Sequence, residues 1–214
     1  MKPYYQDKWV TIYHGDCREI LPTLEPVDLV LTDPPYGVNY DGTWLSQMNL
    51  AKHTPPNKTD ALIIGDEGMD VQFLFSYPKW IVFGFPYIYN PQATGWLTWD
   101  KQPGLDSDRT MGTPVEMASS NVWKGFRLVR CMWAGYMRDN GESRFAHPTQ
   151  KPQKVIDWCV KKTEGIILDP FLGSGTTCYC AKKLNRNSIG IEIEEKYCEI
   201  AAKRCMQTVM ELGI

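Results

Sequence analysis

Two short stretches of this chain combine residue types that can do chemistry. The first is Asp33-Pro34-Pro35-Tyr36, at the end of the apolar run Val27–Asp33. Proline fixes φ and carries no N–H, so the carbonyls here are held without local donors, beside a carboxylate. A carboxylate, a carbonyl and a ring face suit a planar amino group on a nucleobase. Asp33 and the Pro35 carbonyl can take its two N–H groups and favour a pyramidal nitrogen whose lone pair points at an electrophile. Tyr36 can stack on the base, worth about 1–3 kcal/mol. A plain turn capping a strand would use the same residues.

The second stretch is Asp169-Pro170-Phe171-Leu172-Gly173-Ser174-Gly175-Thr176-Thr177, which joins the apolar run Gly165–Asp169 to a helical pattern. Gly173 and Gly175 allow close backbone approach to a ligand. Glu192 lies 17 residues beyond Gly175, at the end of the run Ser188–Glu192, where an acid can hold ribose hydroxyls. A nucleotide-triphosphate loop needs Gly-Lys-Ser/Thr, and no lysine is present. Cys178 takes the place of the third glycine of the dinucleotide fingerprint. A nucleoside cofactor without a pyrophosphate fits better.

The elements that must position these residues alternate between two periods. Short runs rich in Val, Ile, Leu and aromatics predict strands at Trp9–Asp16, Val27–Asp33, Trp80–Gly84, Gly95–Asp100, Phe126–Met132, Gly165–Asp169 and Ser188–Ile193. Helical spacing is weak over 70–78, stronger over 152–163 and 175–186, and strongest over 194–211. The alternation implies an α/β fold with a doubly wound, Rossmann-like, mostly parallel sheet. Val115–Asn121 and Phe126–Met132 are separated by a short turn containing Gly125, which predicts an antiparallel edge hairpin. Segments 37–65 and 133–147 lack periodicity and read as functional loop insertions. The former follows a strand end directly, where open α/β sheets place ligands.

With 214 residues, the whole of 1–214 reads as a single domain. The longest nearly apolar run, Trp80–Tyr89, is too short for the roughly 20 residues of a membrane-spanning helix, and no secretory leader opens the chain. Seven cysteines without CxxC spacing argue against a disulfide framework or a zinc site and suggest reduced thiols in a cytoplasmic protein. Net charge is −2 overall, but residues 1–100 carry −6 and residues 101–162 carry +5. That positive stretch holds Lys124, Arg127, Arg130, Arg138 and Arg144 and is a candidate surface for transient DNA contact.

Taken in order, Asp33-Pro-Pro-Tyr36-Gly, His147-Pro-Thr-Gln-Lys151-Pro152 and Asp169-Pro-Phe-Leu-Gly-Ser-Gly-Thr-Thr177 resemble the S-adenosylmethionine-dependent DNA amino-methyltransferases. The order is that of the permuted, beta-type members of this N6-adenine/N4-cytosine family, with the catalytic motif before the cofactor loop. Gly15-Asp16-Cys17, Trp99-Asp100-Lys101 and Gly190-Ile-Glu192 also fit. The resemblance implies a methyltransferase fold, S-adenosylmethionine as cofactor, DNA as partner, and base flipping, which costs a few kcal/mol.

Residue by residue, the resemblance implies that Asp33, Pro34 and Pro35 bind the target amine and that Tyr36 stacks on the flipped base. Asp169, Phe171, Gly173, Ser174, Gly175 and Thr176 would line the cofactor site, and Glu192 would hold the ribose. Asp16 and Cys17 would sit near the adenine moiety, and Thr149 and Lys151 near the methionine carboxylate. Tyr40 and Trp44 are further aromatic candidates for DNA contact. Family members with Asp before Pro-Pro-Tyr mostly modify adenine N6, so Asp33 favours adenine over cytosine N4.

Residues 133–146 are too few for a separate target-recognition domain. Specificity would then be short, or would come from 37–65, a partner subunit or a homodimer mate. An RNA base as acceptor, a small-molecule methyltransferase and a silent nucleic-acid-binding subunit are the competing readings. A restriction-modification, phage-protective or solitary role would look the same.

Overall fold

The structure is a computed structural model and describes residues 1–35, 69–106, 113–134, 137–139 and 150–207. In chain order the elements are β1 (Tyr5–Gln6), β2 (Val10–His14), α1 (Cys17–Ile20), β3 (Leu29–Thr32), β4 (Lys79–Phe85), β5 (Gly95–Asp100), β6 (Val115–Ser120) and β7 (Gly125–Arg130). There follow β8 (Trp133–Ala134), β9 (Met137–Arg138), α2 (Gln153–Val160), β10 (Ile167–Asp169), α3 (Thr176–Lys183), β11 (Ser188–Glu192) and α4 (Glu195–Met206). Strands β8 and β9 form a small hairpin of their own. The other nine make one sheet in the order β1-β2-β11-β10-β3-β4-β6-β5-β7.

Strands β2, β11, β10, β3 and β4 run parallel, and both faces of this part of the sheet are covered. Leu29, Leu31, Ile81, Phe83, Leu97 and Trp99 pack under α2 and α3. On the other face, Val30, Trp80, Val82, Leu168 and Ile191 pack against Cys17 and Ile20 of α1 and against Leu74 and Phe75 of a 3-10 turn. Odd and even positions of each strand thus enter different cores, as the two-residue side-chain period requires. Full burial of each such side chain stabilises the fold by about 1.5–3 kcal/mol. A third cluster joins β2 to α3 and α4 through Val10, Ile12, Cys178, Cys198, Ala201 and Cys205.

All seven cysteines are buried. Cys178 and Cys180 enter different clusters, and Cys198 and Cys205 share one, as their spacing on the helices predicts. Among the described residues no helix is long and apolar enough to cross a membrane.

The mixed, mostly parallel sheet agrees with the sequence reading, but the expected edge hairpin is corrected. The runs 115–121 and 126–132 do not pair with each other. Strand β6 lies antiparallel between β4 and β5, and β7 pairs parallel with the far side of β5. The connection from β6 to β7 crosses the start of β5 instead of turning tightly. Thr94 Oγ1 donates to the Trp123 carbonyl (2.6 Å), and the Gly125 N–H donates to the Thr94 carbonyl (2.9 Å). A side chain at Gly95 would meet the Trp123 ring at 2.4 Å, so only glycine lets the crossing lie this close. The weak helical pattern over 70–78 is a 3-10 turn at Gln72–Ser76, cut short by Pro78.

Strand connectivity reverses between β10 and β3. From β10 the chain proceeds to β11 on one side, and from β3 to β4 on the other. In open α/β sheets a crevice forms beyond the carboxyl ends of the strands at such a switch point. Asp33 and Asp169 stand one residue past β3 and at the end of β10.

Candidate active site

A cleft opens at this switch point, walled by Asp33, Phe83, Lys151, Asp169, Phe171 and Gly173, with Ser174 and Thr176 beside them. Motifs more than 130 residues apart in sequence therefore meet. Thr32 Oγ1 donates to Asp169 Oδ1 at 2.7 Å and ties the end of β3 to the glycine loop. Pro34 and Pro35 are buried directly after Asp33.

The loop is built from backbone bonds. The Phe171 N–H donates to Asp169 Oδ1 (3.2 Å), and the Gly173 N–H donates to Glu192 Oε2 (2.7 Å). The Leu172 N–H donates to the Ile191 carbonyl (2.9 Å). Gly173 and Gly175 both lie at positive φ, +53° and +82°, where residues with a Cβ are strained. At Gly175 an added Cβ would also come within 2.7 Å of Ala201 on α4. Buried Arg204 of α4 braces the loop from behind, donating to Thr176 Oγ1 (2.8 Å) and the Ser174 carbonyl (3.4 Å).

Glu192 stands behind Gly173 and is not part of the cleft wall. Its other oxygen accepts the Glu194 N–H at 2.9 Å. Each carboxylate oxygen still has acceptor capacity, so a ribose hydroxyl can be held there. Burial raises its proton affinity, and the two backbone donors oppose that rise. Asp16 caps α1 by accepting the Arg18 N–H (2.8 Å) and pairs with the Arg18 side chain. It follows β2, whose last residue lies opposite Glu192. Cys17 is buried with its side chain in the core beside Ile20. A glycine cradle, a carboxylate behind it and an aromatic at Phe171 fit a nucleoside cofactor.

Asp169 is buried, and desolvation pushes its proton affinity up to about 6, against the bonds from Thr177, Thr32 and Phe171. A carboxyl raised in the folded state loses stability as pH climbs from its ordinary value through about 6. Asp169→Asn is therefore expected to stabilise the fold at pH 7.5 by up to about 3 kcal/mol. The gain shrinks toward zero at pH 4. Urea unfolding at both pH values measures it, and an equal change at both would contradict the assignment.

Next to the amine motif lies a chain of charges. Lys151 Nζ pairs with Asp33 Oδ2 and lies 3.2 Å from Glu116 Oε2. Lys101 Nζ lies 2.7 Å from Glu116 Oε1. Burial raises the proton affinity of Asp33 despite Lys151, whereas the two ammonium groups hold Glu116 down to about 2. Asp33 Oδ1 is buried and accepts no hydrogen bond among the described residues. Such an oxygen is costly to leave unmatched, and it borders the cleft.

The sequence reading missed Glu116, Lys101, Thr32 and Thr177. Lys101 and Thr177 stood in noted motifs without a role assigned, but a single Glu in a strand carries no local signal.

The basic segment is spread out rather than gathered. Arg130 is exposed at the cleft end of β7, 3.6 Å from Asp100. Lys124 precedes the other end of that strand, roughly 20 Å away by strand rise. Exposed Arg127 bonds the Phe126 carbonyl on its own strand (2.8 Å), and Arg138 lies over the Trp133 ring. Tyr36, Tyr40, Trp44, Arg144 and Thr149 lie outside the described residues, as do loop 37–65 and most of loop 133–147.

The sequence profile of the DNA methylase family matches residues 106–203. The type II methyltransferase M.ScaI of Streptomyces caespitosus is 30% identical to this chain, over 95% of it and 83% of the relative. The crystal structure of an M1.HpyAVI-SAM complex superposes with a TM-score of 0.55 at 25% identity, covering 91% of this chain and 99% of that one. The PvuII DNA methyltransferase (cytosine-N4-specific) reaches a TM-score of 0.62 at 17% identity, over 98% and 90% of the two chains. That likeness shows the fold alone.

Proposed function

The chain belongs to the DNA methylase family of N6/N4 methyltransferases, and from that premise we propose that it methylates the exocyclic N6 of adenine in double-stranded DNA. The observation that carries this reading is Asp33 Oδ1, a buried acceptor without a donor among the described residues, beside a cleft walled by the glycine loop. S-adenosylmethionine is the methyl donor of this family, and when bound it supplies an electrophilic methyl group on sulfonium. Asp169, Phe171, Gly173, Ser174, Gly175 and Thr176 would hold it, with Glu192 at the ribose.

The chain's own part is to prepare the amine. Asp33 and the Pro35 carbonyl accept its two N–H groups, which localises the nitrogen lone pair and aims it at the cofactor side of the cleft. Alkylation makes that nitrogen strongly acidic. Asp33, whose proton affinity burial raises, is suited to take the proton released. The choice of adenine rests on the aspartate before Pro-Pro-Tyr, by the family correlation. Tyr36, Tyr40 and Trp44 are the candidates to hold the flipped base.

The alignment with M.ScaI runs over 260 positions, more than this chain's 214 residues, so the relative carries additional segments within the aligned span. This supports a compact, single-domain enzyme without a separate recognition domain. Type II relatives support a restriction-modification role, and the buried thiols suit the reducing cytoplasm.

Methyl transfer from labelled S-adenosylmethionine to unmethylated DNA, followed by nucleoside digestion and mass spectrometry, tests the proposal. N6-methyladenine is the expected product. N4-methylcytosine would keep the chemistry and overturn the base assignment, and no methylated nucleoside would overturn both.

The placement of the basic residues gives a second expectation. Arg130→Ala should reduce the slope of log affinity for DNA against log salt by about 0.9. Lys124→Ala, at the far end of β7, should leave it unchanged. Fluorescence anisotropy at four salt concentrations measures both, and the reverse pattern would put the DNA at the opposite end of the strands, away from the cleft.

A further inference from the structure

We propose that Lys151 is a movable counter-ion shared by Asp33 and Glu116, and that Glu116 is a positioning residue, drawing Lys151 off Asp33 when the target amine enters. The proposal deepens the reading of Asp33 as the amine acceptor and rests on it.

The geometry makes the handover short. The Lys151 ammonium touches Asp33 Oδ2 and lies 3.2 Å from Glu116 Oε2, so moving between them requires rotation about its own side chain. Three donors on one nitrogen allow it to hold both carboxylates at once. Its stem is enclosed, with only 7% of the side chain exposed, and the ammonium lies over the Phe83 ring at 5.4 Å. Water therefore offers little competition for the charge. Lys101 holds Glu116 from the other side at 2.7 Å and lies over the Trp99 ring at 5.3 Å. This anchors the carboxylate to which Lys151 moves.

The handover answers a chemical conflict. Asp33 offers Oδ1 to the first N–H, but Oδ2 is engaged by an ammonium group. An ammonium in contact opposes the proton uptake required after transfer. With Lys151 on Glu116, the N–C bond forms, the donor's C–S bond breaks, and the amine proton passes to an Asp33 carboxylate relieved of its counter-ion.

Four charged groups among the described residues act on Asp33. They are Lys151 from the segment before α2, Glu116 from β6, Lys101 from the turn after β5 and Asp169 from β10. Glu116 raises the proton affinity of Asp33, and Lys151 and Lys101 lower it. Glu116→Gln and Lys101→Met should therefore move Asp33 in opposite directions.

The test reads Asp33 directly in the free full-length protein, by carbon-13 NMR of labelled aspartate carboxyls, with Asp33→Asn assigning the resonance. The expected midpoint is lower by about one pH unit or more in Glu116→Gln and higher in Lys101→Met. Midpoints that stay put, or move the same way, overturn the proposal. Single-turnover methyl transfer into total DNA is the second readout. Glu116→Gln should slow it by about tenfold or more with cofactor affinity unchanged, its acid limb shifting with the NMR midpoint, and Glu116→Asp should recover part of the rate. A rate profile that ignores shifted midpoints overturns the positioning role. A parent enzyme that transfers no methyl group overturns the proposed function instead, and the midpoints still decide whether Glu116 governs Asp33.

Discussion

Asp33→Ala is expected to lower methyl transfer by at least about 10³-fold, with cofactor affinity within a factor of about three of the parent. The two effects separate because of where the side chain sits. Asp33 stands just past β3, and its side chain pairs with Lys151. The glycine loop is held by Glu192, Arg204 and the Ile191 carbonyl, none of which Asp33 touches. In the proposed reaction, removing Asp33 takes away both the acceptor that would localise the amine lone pair and the base that would receive its proton. Lys151 keeps Glu116 as its partner, so truncation does not strand a buried ammonium. Stability should therefore change little, or rise, because a desolvated carboxylate is lost. Isothermal calorimetry with S-adenosylmethionine and single-turnover transfer measure the two halves. Joint loss of binding and transfer would assign Asp33 a folding role.

That separation also bears on what the sequence could reveal. The Asp-Pro-Pro turn after β3 and the glycine loop after β10 were legible as local structures because each is built from neighbours along the chain. Pro34 and Pro35 fix the turn locally, and Gly173 and Gly175 mark positive φ. The central strands were legible because burial on both faces leaves uninterrupted apolar runs such as Leu29–Leu31. The long helix over 194–211 is described as Glu195–Met206, and residues 208–214 lie outside the described part.

What remained hidden depends on contacts between distant segments. Glu116 reaches Lys151 only because β6 pairs with β5 in a register that sets it opposite Trp99, two residues from Lys101. The Asp33–Lys151 pair spans 118 residues, and nothing local at either end announces it. The edge misreading has the same origin. The turn containing Gly125 looks like a hairpin turn until Trp123 is placed over Gly95, which forces the chain across β5. A positive stretch in sequence likewise became a strand with Arg130 at the cleft end and Lys124 at the other.

Gly173→Val is expected to weaken S-adenosylmethionine binding by about 10²-fold. Valine at a φ of +53° is strained by about 1–3 kcal/mol. The strain is relieved by turning the peptide, which takes the Gly173 N–H away from Glu192 Oε2, now 2.7 Å distant. Glu192 is 8% exposed, and loss of a donor to such a group costs about 1–3 kcal/mol more. In full the two costs would span about 2–6 kcal/mol; because turning the peptide relieves part of the strain, about 3 kcal/mol is expected, which corresponds to about two decades in Kd. The substitution also puts a branched side chain into the cradle itself. Its effect on the rest of the sheet should be smaller, since Leu172 and Gly175 keep their bonds to the Ile191 and Leu172 carbonyls. Calorimetry gives the affinity, and a urea midpoint close to the parent's shows that the fold persists. Parental affinity in a folded Gly173→Val protein would remove this loop from the cofactor site and leave Asp33 without a methyl donor beside it.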